Sequence, residues 1–148
     1  MEKALFSSEK QDWETPQKLF DELNKEFNFD LDAMASLENA KCVNYFTEEQ
    51  NALDQDWTIY NSIFINPPYE SKLQDAALKK ALDTFRESNN TIVLLIPART
   101  DTRRWHDYIF PYASDIRFLR GRLKFETNGQ AHDNSAPFPS AIIVFKGK

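Results

Sequence analysis

Thr91-Ile92-Val93-Leu94-Leu95-Ile96, closed by Pro97, determines what kind of sheet this chain builds. A strand with one face in water alternates apolar and polar residues, and this run does not. It is almost wholly apolar and rich in β-branched residues, as a strand covered on both faces must be. Such strands belong to sheets with helices on either side. Just upstream, Ala77, Leu78, Ala81, Leu82 and Phe85 recur at helical spacing behind Ser71, a suitable cap. Before that helix lies Ile63-Phe64-Ile65, a second apolar strand that stops at Asn66-Pro67-Pro68-Tyr69, because two successive prolines cannot continue a ladder.

Working outward, Thr15-Pro16 opens a helix with Thr15 as N-cap and Pro16 at the first turn. Leu19, Phe20, Leu23 and Phe27 form its apolar face. Phe29 to Ala35 alternates as a strand with carboxylates at its end, and Cys42 to Phe46 reads as a short strand. Downstream, the pattern predicts a helix around Thr102–Phe110 and a strand over Asp115–Leu119. Gly121 to Phe125 alternates so as to expose Arg122 and Lys124 on one side. A polar loop over Thr127–Pro139 and a last strand over Ala141–Phe145 complete the chain. Strands alternating with helices mean one open, mostly parallel α/β sheet, here a single domain spanning residues 1–148. Such sheets take ligands at the carboxyl ends of their strands, where Asp32, Asn66 and Arg99 are expected.

The chemistry centres on Asn66. An exocyclic amino group of adenine or cytosine is planar, with its lone pair delocalised into the ring, and is a poor nucleophile. Two fixed acceptors for its hydrogens favour a tetrahedral nitrogen whose lone pair can meet an incoming methyl. The Asn66 side-chain carbonyl and the next backbone carbonyl are two such acceptors, held by Pro67 and Pro68. Tyr69 offers a ring face on which a base taken out of its stack can lie, worth roughly 1–3 kcal/mol. The plain structural alternative is a strand-ending turn capped by Asn66 with Tyr69 over the sheet edge.

Composition narrows the classes. The only glycines are Gly121, Gly129 and Gly147, which excludes a phosphate-cradling P-loop and a glycine-rich dinucleotide loop. Cys42 is the only cysteine, so neither a disulfide framework nor a multi-thiolate zinc site exists. His106 and His132 lack ligand-like partners, and no metal is expected. The net charge of −5 hides a gradient: residues 1–57 carry 14 acids and 5 bases, residues 99–148 carry 5 acids and 9 bases. Seven of those nine bases lie between Arg99 and Lys124, and six of the seven are arginine, suited to phosphate. No membrane-length apolar run or signal-peptide core is present, which points to a soluble, cytoplasmic protein.

These residues together resemble the phage-type DNA N6-adenine methyltransferase (Dam) family. The resemblance rests on Trp13 with Thr15-Pro16, Phe29 to Ala33 with Ala35-Ser36, Glu38 to Cys42, Asn51 to Leu53 with Asp56-Trp57, and Asn66 to Tyr69. It continues through Pro97 to Asp101, Gly121 to Phe125 and Ala136 to Ser140. It implies a Rossmann-like methyltransferase sheet and S-adenosylmethionine as methyl donor. Asn66, Pro67, Pro68 and Tyr69 match the catalytic motif. Asp32, Ala33 and Ser36 match the cofactor loop, Trp13, Thr15 and Pro16 an N-terminal cofactor element, and Asn51 and Leu53 the segment beside the cofactor's adenine. Arg99, Arg103, Arg104, Arg122 and Lys124 are the expected DNA contacts. No separate target-recognition domain is visible in the 79 residues after Tyr69. Short loops, a homodimer or another protein partner must supply recognition, or it is weak. A host-cytoplasmic setting and protection of phage DNA from restriction are further family implications. The alternatives are N4-cytosine, RNA adenine or protein glutamine methylation, and a non-catalytic nucleic-acid-binding module on the same scaffold.

Overall fold

The computed structural model describes residues 13–36 and 39–148. The first eleven residues, read above for a signal peptide, and Glu38 of the quoted motif lie outside them. Helix α1 (Gln17–Phe27) leads into β1 (Leu31–Ala35), β2 (Tyr45–Thr47) and a single 3₁₀ turn at Ala52–Asp54. Then come β3 (Ser62–Ile65), α2 (Ser71–Ser88), β4 (Thr91–Pro97) and a helical segment ending in α3 (Phe110–Tyr112). Strands β5 (Asp115–Phe118), β6 (Glu126–Thr127), β7 (Gln130–Ala131) and β8 (Ser140–Phe145) follow.

Six strands form one sheet in the order β2-β1-β3-β4-β8-β5. The first four run parallel, and β8 pairs antiparallel with both β4 and β5, so β8 alone is reversed. This is the mixed α/β methyltransferase architecture expected from the sequence. The hydrophobic run 92–96 is buried throughout, and its odd and even residues serve different layers. Ile92, Leu94 and Ile96 pack with Leu78, Ala81 and Leu82 of α2 and with Trp105. Val93 and Leu95 pack with Phe20 and Leu23 of α1 and with Phe125 and Phe138. Each such side chain contributes roughly 1.5–3 kcal/mol on full burial, which explains why a two-sided strand lies at the centre.

Several local expectations change. Thr15 is not the cap of α1: Pro16 stands at that position, and the Thr15 hydroxyl points to Asn66 instead. Ser71 likewise does not cap α2 but begins it, its hydroxyl accepting from Arg104. The second strand starts three residues later than the apolar run suggested, leaving Val43 95% exposed. A register shift in the β1–β2 pairing between Asp32 and Ala35 limits that pairing. The helix after β4 widens to a π-helical turn over Trp105–Ile109, where the Phe110 N–H reaches back to the Trp105 carbonyl. Pro111 has no N–H and its ring would strike the carbonyl four residues earlier in a regular helix, which accounts for the wider turn. Gly121 to Phe125 is irregular rather than a strand, and the loop over 127–139 contains the β6–β7 hairpin.

Candidate active site

Asn66 stands immediately beyond β3, and its surroundings come from distant parts of the chain. Its Nδ2 donates to the Trp13 carbonyl at 2.8 Å and to Thr15 Oγ1 at 3.1 Å. With both amide hydrogens so placed, Asn66 Oδ1 is buried and has no hydrogen-bond partner among the described residues. Buried acceptors are normally paired, so an unpaired one beside a conformationally restrained Pro-Pro turn marks a place for an incoming donor. Segment 13–15 is itself fixed by a two-way bridge between Glu14 and Glu126, at 3.1 and 3.0 Å.

Tyr69 sits among other rings. Its centroid lies 5.6 Å from Trp13, 5.6 Å from Phe125 and 5.2 Å from Phe138, the last two meeting it edge-on. Its hydroxyl is buried without a partner among the described residues, and burial pushes its pKa upward. The open ring face anticipated for Tyr69 is therefore packed against neighbours in this conformation. Phe125 was not anticipated; the signal available was its closing place in the Gly121–Phe125 alternation. Phe138 is 6% exposed and carries the Arg99 guanidinium 5.6 Å from its ring centroid. His132 packs on Trp13 and contacts Thr127 Oγ1 at 2.8 Å.

Asp32 is the second residue of β1 rather than its end, level with Phe64 on β3. It is 4% exposed, and its Oδ2 accepts the Lys41 N–H at 3.0 Å. Burial pushes its pKa up to about 6, against the smaller lowering effects of that hydrogen bond and of the Lys41 charge. The loop beyond β1 turns without glycine: Ser36 N–H donates to Asn39 Oδ1 at 2.7 Å, and Asn39 N–H donates to Ser36 Oγ at 3.2 Å. Ala33 is completely buried in the core beneath. Asn51 is exposed with a left-handed φ of 52° ahead of the 3₁₀ turn. Leu53 packs on the α2 layer, the opposite side of the sheet from the Trp13–Tyr69 cluster. Trp57 is core, with its indole N–H on the Ala52 carbonyl, and Asp56 caps a turn at Thr58.

The basic set divides. Arg99, Arg103, Arg120, Arg122 and Lys124 are exposed and outside the ion pairs among the described residues. Arg104 is different and leaves the set of DNA contacts inferred from sequence. It is 7% exposed and donates to Asp75 at 2.6 Å, to Gln74 at 3.3 Å and to the Ser71 carbonyl and hydroxyl. That fork anchors the helical segment after β4 to the start of α2. Arg117 is similarly occupied by Glu26 and Asp115.

Among the described residues no helix is long and apolar enough to cross a membrane, and no group of three metal-ligating side chains is found. A family model described as DNA N-6-adenine-methyltransferase (Dam) matches residues 3–148. The DNA N-6-adenine-methyltransferase of Escherichia phage T1 is 32% identical over 124 residues, covering 83% of this chain and 50% of that protein. The protein of the same name from Haemophilus phage HP1 is 31% identical over 147 residues, covering 95% of this chain and 82% of the relative. The chain thus spans about half the length of the first relative and most of the second.

Proposed function

The chain belongs to the DNA N-6-adenine-methyltransferase (Dam) family, and from that membership we propose that it methylates the exocyclic N6 amino group of adenine in DNA, with S-adenosylmethionine as donor. The observation that carries the reading is the buried, unpartnered Oδ1 of Asn66 at the start of Asn66-Pro67-Pro68-Tyr69. The residues fit the donor: Asp32 is a buried carboxylate with only one oxygen held by a backbone N–H, an anion whose burial a cationic ligand would offset. Asp32, Ser36, Thr15 and Pro16 would hold it, with Trp13, Ala33, Asn51 and Leu53 as the remaining family-implied neighbours. When bound, S-adenosylmethionine supplies an electrophilic methyl group on a sulfonium sulfur.

The rest follows from the protein's own groups. Asn66 Oδ1 and the Pro67 carbonyl accept the two amino hydrogens of the flipped adenine and draw its nitrogen toward a tetrahedral shape. The lone pair would then face the methyl group of a bound donor, and the proton given up by the methylated amino group, held by the Asn66 and Pro67 acceptors, would pass to solvent without a strong base. Tyr69 supports the base by stacking. Some of the rings packed around Tyr69 must give way first. Arg99, Arg103, Arg122 and Lys124 hold phosphates and set the register of the duplex. The host cytoplasm is the corresponding setting, and a second copy or another protein partner is the proposed source of target recognition.

The test is transfer of a labelled methyl group to three acceptors: mixed-sequence DNA, DNA built only of guanine and cytosine, and RNA. Label in the first alone, absent with Asn66→Ala, is expected. Label in guanine–cytosine DNA would shift the substrate to cytosine, and label in RNA alone would remove DNA from the reading.

A further inference from the structure

Resting on that reading of the site, we propose that Thr15 is a positioning residue. Together with the Trp13 main-chain carbonyl it sets the direction of the Asn66 amide and makes asparagine, not aspartate, the residue this site can use. The two ends of an asparagine side chain are nearly alike in shape and opposite in chemistry, so a half-turn exchanges acceptor for donor. Here the choice is forced. The Trp13 carbonyl is an acceptor only and lies 2.8 Å from Asn66 Nδ2, whereas the reversed amide would put two oxygens at that separation. Thr15 Oγ1, at 3.1 Å, takes the second amide hydrogen. The consequence is an Oδ1 turned away from both, buried and unpaired.

The clamp is stiff. Thr15 is 3% exposed, and Glu14, between the two clamping residues, is tied on both sides to Glu126 by main-chain hydrogen bonds. The Trp13 ring is wedged against Tyr69, Phe125 and Phe138, which restrains the carbonyl on the same residue. Thr15 therefore forgoes helix capping to hold a side chain 51 positions away. An aspartate at position 66 would turn an oxygen toward the Trp13 carbonyl and have no hydrogen to offer either partner.

Three variants and two readouts test this. Thr15→Val keeps the shape and removes the acceptor; it should lower kcat about tenfold, the equivalent of one hydrogen bond. Thr15→Ser should restore kcat to within about threefold of wild type. Asn66→Asp should lose about a hundredfold or more in kcat at unchanged donor affinity. The second readout needs no turnover: the Asn66 side-chain amide protons, assigned by their disappearance in Asn66→Ala, should exchange slowly in wild type and faster in Thr15→Val. Melting temperatures confirm that each variant is folded. The proposal is overturned by wild-type kcat in Thr15→Val, by no recovery with Thr15→Ser, by an active Asn66→Asp, or by amide protons that exchange equally fast in both proteins. If the wild type methylates no adenine, the reading of the substrate fails, and the exchange measurement alone still decides the clamp.

Discussion

Replacing Asp32 with asparagine should make the ligand-free chain more stable at neutral pH while removing its capacity to bind the methyl donor. The carboxyl is 4% exposed, and burial moves its pKa from 3.8 up to about 6. A displacement of roughly two units at 1.36 kcal/mol each means that keeping the ionised form buried costs about 3 kcal/mol. The sign follows from proton counting. Because the native pKa is the higher one, the folded chain holds more protons than the unfolded chain between about pH 4 and pH 6. The contribution of Asp32 is therefore most favourable below pH 4, declines as pH rises through 6, and is level above. Asparagine keeps an oxygen for the Lys41 N–H and carries no charge, but its own amide hydrogens must be desolvated, so a gain of about 1–3 kcal/mol is expected at pH 8. Urea unfolding of both proteins at pH 4, 5, 6 and 8 gives the difference directly. The difference is the useful quantity, because Glu26, Asp56 and Asp115 are held below the usual carboxylate range by hydrogen bonds and add an opposing slope to both proteins. A difference that does not change with pH, or a variant less stable at pH 8, would refute the burial argument. Undiminished donor binding by the variant in calorimetry would remove Asp32 from the cofactor site.

Asn66→Ala should abolish methyl transfer yet keep S-adenosylmethionine affinity within about threefold, since one acceptor to the base is lost and the donor's contacts remain; equal loss of both would make Asn66 structural. Arg103→Ala should reduce the salt dependence of DNA binding by about one phosphate contact without loss of stability, whereas Arg104→Met should cost about 1–3 kcal/mol in urea and leave the salt slope unchanged; the reverse pattern would contradict the assignment. Burial and the Asp32 and Asp30 charges push the Cys42 thiol up to about 12. Iodoacetamide should therefore modify it at least about tenfold more slowly at pH 8 than it modifies a free cysteine, and comparable rates would refute that environment.

What could be read in the sequence depended on whether the deciding interaction was local. The run 92–96 announces a two-sided strand because each residue must be buried regardless of its partner. The stop at Pro67-Pro68 is equally local. The Leu19–Phe27 face and the Ala77–Phe85 face are set by helical spacing alone. Thr15 and Ser71 misled because a hydroxyl before a helix can cap it or reach elsewhere, and their actual partners, Asn66 and Arg104, lie far along the chain. Arg103 and Arg104 are neighbours of the same type, and only the packing of their helix on α2 sends one to solvent and the other to Asp75. The small hairpin had a signal in Asn128-Gly129, both with positive φ, but its two-residue strands are too polar to stand out from a loop. At the site, Asn66 and Tyr69 were legible from their motif, while the rings around Tyr69 were not, since Trp13, Phe125 and Phe138 meet only after folding.

The central claim is tested most directly by identifying the product. Unmethylated double-stranded DNA would be incubated with the chain and S-adenosylmethionine bearing an isotopically labelled methyl group, digested to nucleosides, and analysed by mass spectrometry. The account predicts labelled N6-methyldeoxyadenosine with wild type and none with Asn66→Ala. Labelled N4-methyldeoxycytidine, or no labelled nucleoside from a protein that binds the donor, would contradict it.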